Sequence, residues 1–67
     1  MNWIEKNSDY LICLETGQEI QVRRMYNRID IHVTGAGVIK TFLDKTQYVE
    51  FVDYWTALKI RLLESND

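Results

Sequence analysis

His32 is the only histidine in this 67-residue chain and Cys13 the only cysteine. General-base work by His32 would need an acceptor within reach and a partner that orients the ring. Asp30, two residues earlier on the same face of an alternating stretch, offers a local contact and no more. His32 therefore reads as a surface histidine. Cys13 lies between Ile12 and Leu14, whereas a nucleophilic thiol wants an electropositive, partly open setting. It reads as a small core residue. Gly35 and Gly37 could suggest a phosphate loop, but such loops join a strand to a helix, and these join two strands. Glu15 and Glu19 flank a turn and read as solvated carboxylates. No Cys/His spacing resembles a zinc site. The expectation is a non-enzyme without metal, cofactor or small-molecule substrate.

A second constellation concerns binding rather than catalysis. Arg23, Arg24, Tyr26, Arg28, His32 and Lys40 gather basic side chains around an aromatic ring. Such a face suits single-stranded nucleic acid, with cations tracking phosphates and rings stacking on bases. It is also what a solvated antiparallel sheet carries to avoid edge-to-edge aggregation. The chain as a whole has net charge −2, and only residues 18–43 carry a positive excess. The solvated-face reading therefore leads. The candidate nucleic-acid face is Arg23, Tyr26, Arg28, His32 and Lys40.

Four strands are expected to position these groups. Tyr10–Glu15 is rich in aromatic and branched residues and ends at Thr16-Gly17, where glycine supplies the positive φ of a tight hairpin. Gln18–Tyr26 follows, with Ile20 and Val22 on one face and Gln21 and Arg23 on the other. Asn27 is the expected turn residue, in the left-handed conformation that asparagine tolerates. Arg28–Thr34 alternates most clearly: Ile29, Ile31 and Val33 inward, Arg28, Asp30, His32 and Thr34 outward. Val38–Leu43 is the fourth strand, of ambiguous facing because Val38, Ile39, Phe42 and Leu43 leave both sides partly apolar. Residues 1–8 form a lead segment whose Trp3 and Ile4 add a strand or pack over a helix; the sequence leaves both open.

The stretch from Asp44 to Leu63 dominates the chain. Asp44 is a suitable N-cap and Gln47 completes a capping box, with Leu43 and Tyr48 as a hydrophobic staple. Tyr48, Phe51, Trp55, Leu58 and Leu62 form one helical stripe, and Val49, Val52, Thr56, Ile60 and Leu63 a second beside it. Together they cover over half the circumference, more than a small sheet conceals. Either Trp3 and Ile4 cap the second stripe or a partner chain does, and the partner is favoured. The expected oligomer interface is drawn from Tyr48, Phe51, Val52, Trp55, Leu58, Ile60 and Leu62. The fold class is α+β: one domain of lead segment 1–8, a four-stranded antiparallel meander over 9–43, and a helix over 44–64, in the order ββββα.

Four strands followed by a helix, with a glycine-led last strand running into it (GVIKTFLDKTQYVEFVDYW), resembles the transcriptional positive-cofactor and Whirly type of single-stranded-DNA-binding domain. The resemblance implies dimerisation through the helix and strand binding on the curved sheet. It is architectural, with no residue-for-residue motif, and the acidity and sparse lysines of this chain depart from the family.

Composition agrees with a small folded domain: 46% hydrophobic and 27% charged residues argue against disorder. Chains this short often need disulfides, metals or oligomerisation, and a lone cysteine leaves oligomerisation. MNWIEKNSDY has no signal-peptide pattern, and Tyr10–Leu14 is the longest apolar run, far below a membrane span. A cytoplasmic setting is expected. These features suggest a small homodimer that binds another protein, an adaptor or inhibitor of the kind phages and mobile elements carry. The alternative is a single-stranded nucleic-acid binder.

Overall fold

A computed structural model describes residues 2–64. They form an antiparallel sheet of five strands followed by one helix: β1 Trp3–Asn7, β2 Tyr10–Cys13, β3 Glu19–Arg24, β4 Arg28–Val33, β5 Gly37–Leu43 and α1 Tyr48–Glu64. Spatial order follows chain order, β1-β2-β3-β4-β5, an uninterrupted meander. The α+β class and the antiparallel sheet agree with the sequence reading, but the strand number is five. The lead segment supplies the extra strand. Trp3 pairs with Cys13 and Ile4 with Ile12, and the turn is made by Asn7-Ser8-Asp9, where the Asn7 side chain accepts from the Asp9 N–H at 2.9 Å. These three turn-forming residues, between apolar Trp3-Ile4 and Tyr10, are the signal the sequence holds for that hairpin.

One face of the sheet carries Trp3, Leu11, Cys13, Ile20, Val22, Ile29, Ile31, Val33 and Phe42, all buried. Alternation puts these on the same side because each successive side chain reverses direction. The helix covers them with Phe51 and Trp55, while Leu58, Leu62 and Leu63 pack at the margin. Phe51 meets Phe42 edge-to-face with ring centroids 5.9 Å apart. Among the described residues, no helix is long and apolar enough to cross a membrane.

Both edge strands are bulged. Ile31 pairs with Lys40 but His32 pairs with Val38, so Ile39 is the extra residue of β5. In β1 the register steps from Glu5↔Leu11 to Asn7↔Tyr10, leaving Lys6 extra. A bulge bends an edge strand and disrupts the row of free N–H and C=O groups that would otherwise template aggregation. The bulge at Ile39 is also why β5 shows no simple two-residue period in sequence.

Two turns differ from expectation. Gly17 takes the positive φ required of it, 75°, but Asn27 does not, because among the described residues only glycines have positive φ. The Tyr26-Asn27 turn is instead closed by Met25 N–H donating to Arg28 C=O at 2.8 Å. Helix α1 begins at Tyr48 rather than at residue 44. Residues 44–47 form a turn in which the Gln47 amide oxygen accepts from the Leu43 N–H at 2.8 Å. The Gln47 carbonyl accepts the first helical bond, from Phe51 at 2.9 Å. Gln47, not Asp44, occupies the N-cap position, and the Leu43–Tyr48 staple falls away with the register.

Candidate interaction surfaces

The helix sorts its two stripes by the sheet it lies on. Phe51 and Trp55 are buried, Leu58 and Leu62 half-buried, and Tyr48 at the helix start is exposed. Most of the second stripe lies in solvent, with Val49 71% exposed, Val52 39% and Ile60 51%, while Leu63 at its end is half-buried against the core. Trp3 does not cover it, since its ring belongs to the core under the helix, and Ile4 lies on the opposite side of β1. Of the seven expected interface residues, Val52, Ile60 and Tyr48 are thus available to a partner, while Phe51 and Trp55 serve the chain's own core.

Beside this stripe, between α1 and the β1 edge, runs a groove of 370 Å³ lined by Glu5, Thr56, Lys59, Ile60, Leu63 and Glu64. The Lys59 ammonium pairs with the Glu5 carboxylate at 3.0 Å and sits 5.8 Å from the centre of the Trp55 ring. That arrangement fixes the groove's sheet-side rim. Neither the groove nor the Glu5–Lys59 pair is legible without knowing that β1 exists.

The other sheet face is open, and its centre is not a cationic platform. Asp30, on the middle of β4, is only 5% exposed although it lies on the side away from the helix. Its carboxylate accepts from Arg28 Nε at 3.3 Å and from the Thr41 hydroxyl at 3.0 Å, and Arg23 is its cross-strand partner. Two arginines of the expected nucleic-acid face therefore flank an acid. His32 is half-buried, paired across the strands with Gln21 and Val38, and no carboxylate is its cross-strand neighbour. Tyr26 stands at the β3–β4 turn, 100% exposed.

Lys40 is not with them. Its ammonium lies 5.6 Å from the Phe42 ring centre and 6.0 Å from that of Tyr54, on the helix side of β5. Arg24 is also on the helix side, held by Asp9 through two bonds of 2.9 and 3.1 Å and stacked 5.4 Å from the Phe51 ring centre. The Asp9 bonds push its guanidinium further up from an already high value. Of the basic set, only Arg23, Arg28 and His32 share the open face.

Cys13 is fully buried in the core. Hydrogen bonding from the Thr16 hydroxyl, with help from the Thr16 and Glu15 N–H groups, holds its thiol below the usual value against the opposing effect of burial. A thiol with no solvent access lacks the opening that a nucleophile needs. No family model, no curated protein and no solved structure matches this chain.

Proposed function

We propose that the protein is a non-enzymatic interaction module that self-associates through α1 and, as a homodimer, binds another protein as an adaptor or inhibitor. The observation that carries this reading is the exposed flank Val49, Val52 and Ile60, adjacent to the helix surface that is already buried. Covering a large aliphatic side chain is worth roughly 1.5–3 kcal/mol, and a domain this small has few other sources of stability. Dimerisation through the helix leaves both open sheet faces and both Tyr26 tips outward for a further protein.

Sedimentation velocity over a range of concentrations tests the first step. The wild type is expected to move from monomer to dimer, and Ile60→Glu to remain a monomer with unchanged circular dichroism. A wild type that stays monomeric at high concentration removes the self-association. The nucleic-acid alternative draws on Tyr26, exposed near Arg23 and Arg28. It is weakened by Asp30 between those arginines and by Lys40 lying on the helix side.

A further inference from the structure

We infer that the corner between the β3–β4 turn and the β5–α1 turn is where another protein docks, placing there one apolar or aromatic side chain with a carboxylate next to it. The inference rests on the reading that the chain binds another protein, not on self-association, and names the place and the chemistry. The corner is an open cavity of 350 Å³ lined by Tyr26, Asn27, Leu43, Lys45 and Thr46, at the small end of the range of ligand sites, about 300–1,000 Å³. Its two walls are already fixed. The Met25 N–H closes the first turn on the Arg28 carbonyl at 2.8 Å. Gln47 closes the second, accepting from the Leu43 N–H at 2.8 Å and donating to the Leu43 carbonyl at 2.9 Å. The Asp44 N–H joins the two turns, donating to the Asn27 carbonyl at 3.2 Å. Binding here orders little further backbone, which keeps its entropic cost low.

The side chains that line the corner contribute little to the fold. Tyr26 is 100% exposed and Leu43 54%, so burial rewards neither within the chain. Tyrosine on a rigid support is a frequent binding anchor. Arg24, Arg28 and Lys59 each have a carboxylate partner, and the Lys40 ammonium rests on two rings. Lys45 has neither among the described residues, and Asp44, its neighbour in the chain, forms no ion pair with it. The Asn27 side-chain amide and the Thr46 hydroxyl likewise make no hydrogen bond among the described residues. One ammonium, two neutral polar groups and an apolar surface in a single cavity match one carboxylate carried beside an apolar side chain. A nucleic-acid strand fits less well. It brings a phosphate with every nucleotide and draws its affinity from several cations at once, whereas this cavity holds one, next to the carboxylate of Asp44.

Chemical-shift mapping on the full chain tests the site. The probe is a short peptide with one phenylalanine between glutamates. Its comparators carry alanine for the phenylalanine or lysine for the glutamates, and oligothymidylate is the nucleic-acid control. The glutamate peptide should move the backbone amides of residues 25–28 and 43–47, and both comparators should bind about tenfold more weakly or worse. Tyr26→Ala and Lys45→Glu should each weaken the glutamate peptide by about tenfold or more. Their urea midpoints should match the wild type, because both side chains are exposed. Lys45→Glu should also turn the preference to the lysine peptide, which a merely structural change would not do. No shift at any amide, shifts on another surface alone, or an equal response to all three peptides overturns the site. Oligothymidylate moving the same amides more strongly than the glutamate peptide gives the corner to nucleic acid instead. Sedimentation of the same samples judges self-association separately, so a monomer that binds the glutamate peptide keeps this site and loses the dimer.

Discussion

The indole N–H of Trp55 donates to the carbonyl of Ser8 at 2.8 Å, tying the middle of the helix to the β1–β2 turn across 47 residues of sequence. Ring burial and hydrogen bond act at one point, and Lys59 closes over the ring. Trp55→Phe keeps most of the apolar contact but leaves the Ser8 carbonyl without its donor, at a cost of about 1 kcal/mol. Trp55→Ala should cost about 3–5 kcal/mol, against a total of roughly 3–10 kcal/mol for a chain of this length. Urea unfolding followed by circular dichroism measures both. Trp55→Glu should not fold, in contrast to Ile60→Glu on the exposed flank.

This contrast separates what the sequence can say from what it cannot. Both stripes are visible as helical periods, because burial leaves a periodic trace wherever it occurs. Which stripe meets the sheet is not, since Trp55 and Ile60 are equally at home in an apolar stripe. Only the arrival of β1 beneath Trp55, bringing Ser8 within hydrogen-bond reach, decides it. The alternation of Ile29, Ile31 and Val33 places β4 correctly, because a strand with one wet face carries its facing in its period. Lys40 leaves the face expected of it because it stands two residues before Phe42 in unbroken register, and the inward facing of Phe42 is ambiguous in sequence; the bulge at Ile39 precedes both and turns Val38, not Lys40, to the open side. Asp30 reads as solvated in sequence, since burial on an open face comes from neighbours on β3 and β5, which no local pattern reveals.

Gln47 gives a second test of local structure. Its side chain accepts from the Leu43 N–H while its carbonyl starts the helix, so it closes the turn between β5 and α1. Gln47→Ala removes the first contact and keeps the second. The expected loss is about 0.5–1.5 kcal/mol in unfolding free energy, whereas Asp44→Ala should change it by less. Equal losses for the two variants would return the cap to Asp44.

Tyr10 should add an alkaline limb to the stability profile. A hydrogen bond with Glu19, aided by burial and by the carboxylate charge, raises its phenol above the ordinary value of 10.0. The folded chain then holds this proton more tightly than the unfolded chain. Its contribution is complete below the ordinary value and is lost as pH rises through the folded value. The urea midpoint of the wild type should fall more steeply above about pH 10 than that of Tyr10→Phe. Parallel profiles would mean that the bond to Glu19 is not made in solution.

The nucleic-acid reading meets its test at Asp30. Arg28 donates to this carboxylate and Arg23 lies across the strand from it, so a phosphate on the open face must compete with a charge already in place. Asp30→Asn removes that charge and keeps a side chain of the same shape against Thr41. If the face serves proteins, labelled single-stranded DNA should show no salt-dependent anisotropy change with the wild type. If it serves nucleic acid, wild-type binding should weaken steeply with salt and tighten in Asp30→Asn, because the Arg28 guanidinium loses its carboxylate partner and the negative charge across the strand from Arg23 is gone. Arg23→Ala and Arg28→Ala should then flatten the salt slope, and Tyr26→Ala should remove about 1–3 kcal/mol of stacking. Lys40→Ala should leave affinity unchanged in either case, since its ammonium rests on Phe42 and Tyr54 on the helix side. Sensitivity to Lys40 together with indifference to Arg23 and Arg28 would move any nucleic-acid site off the open face altogether.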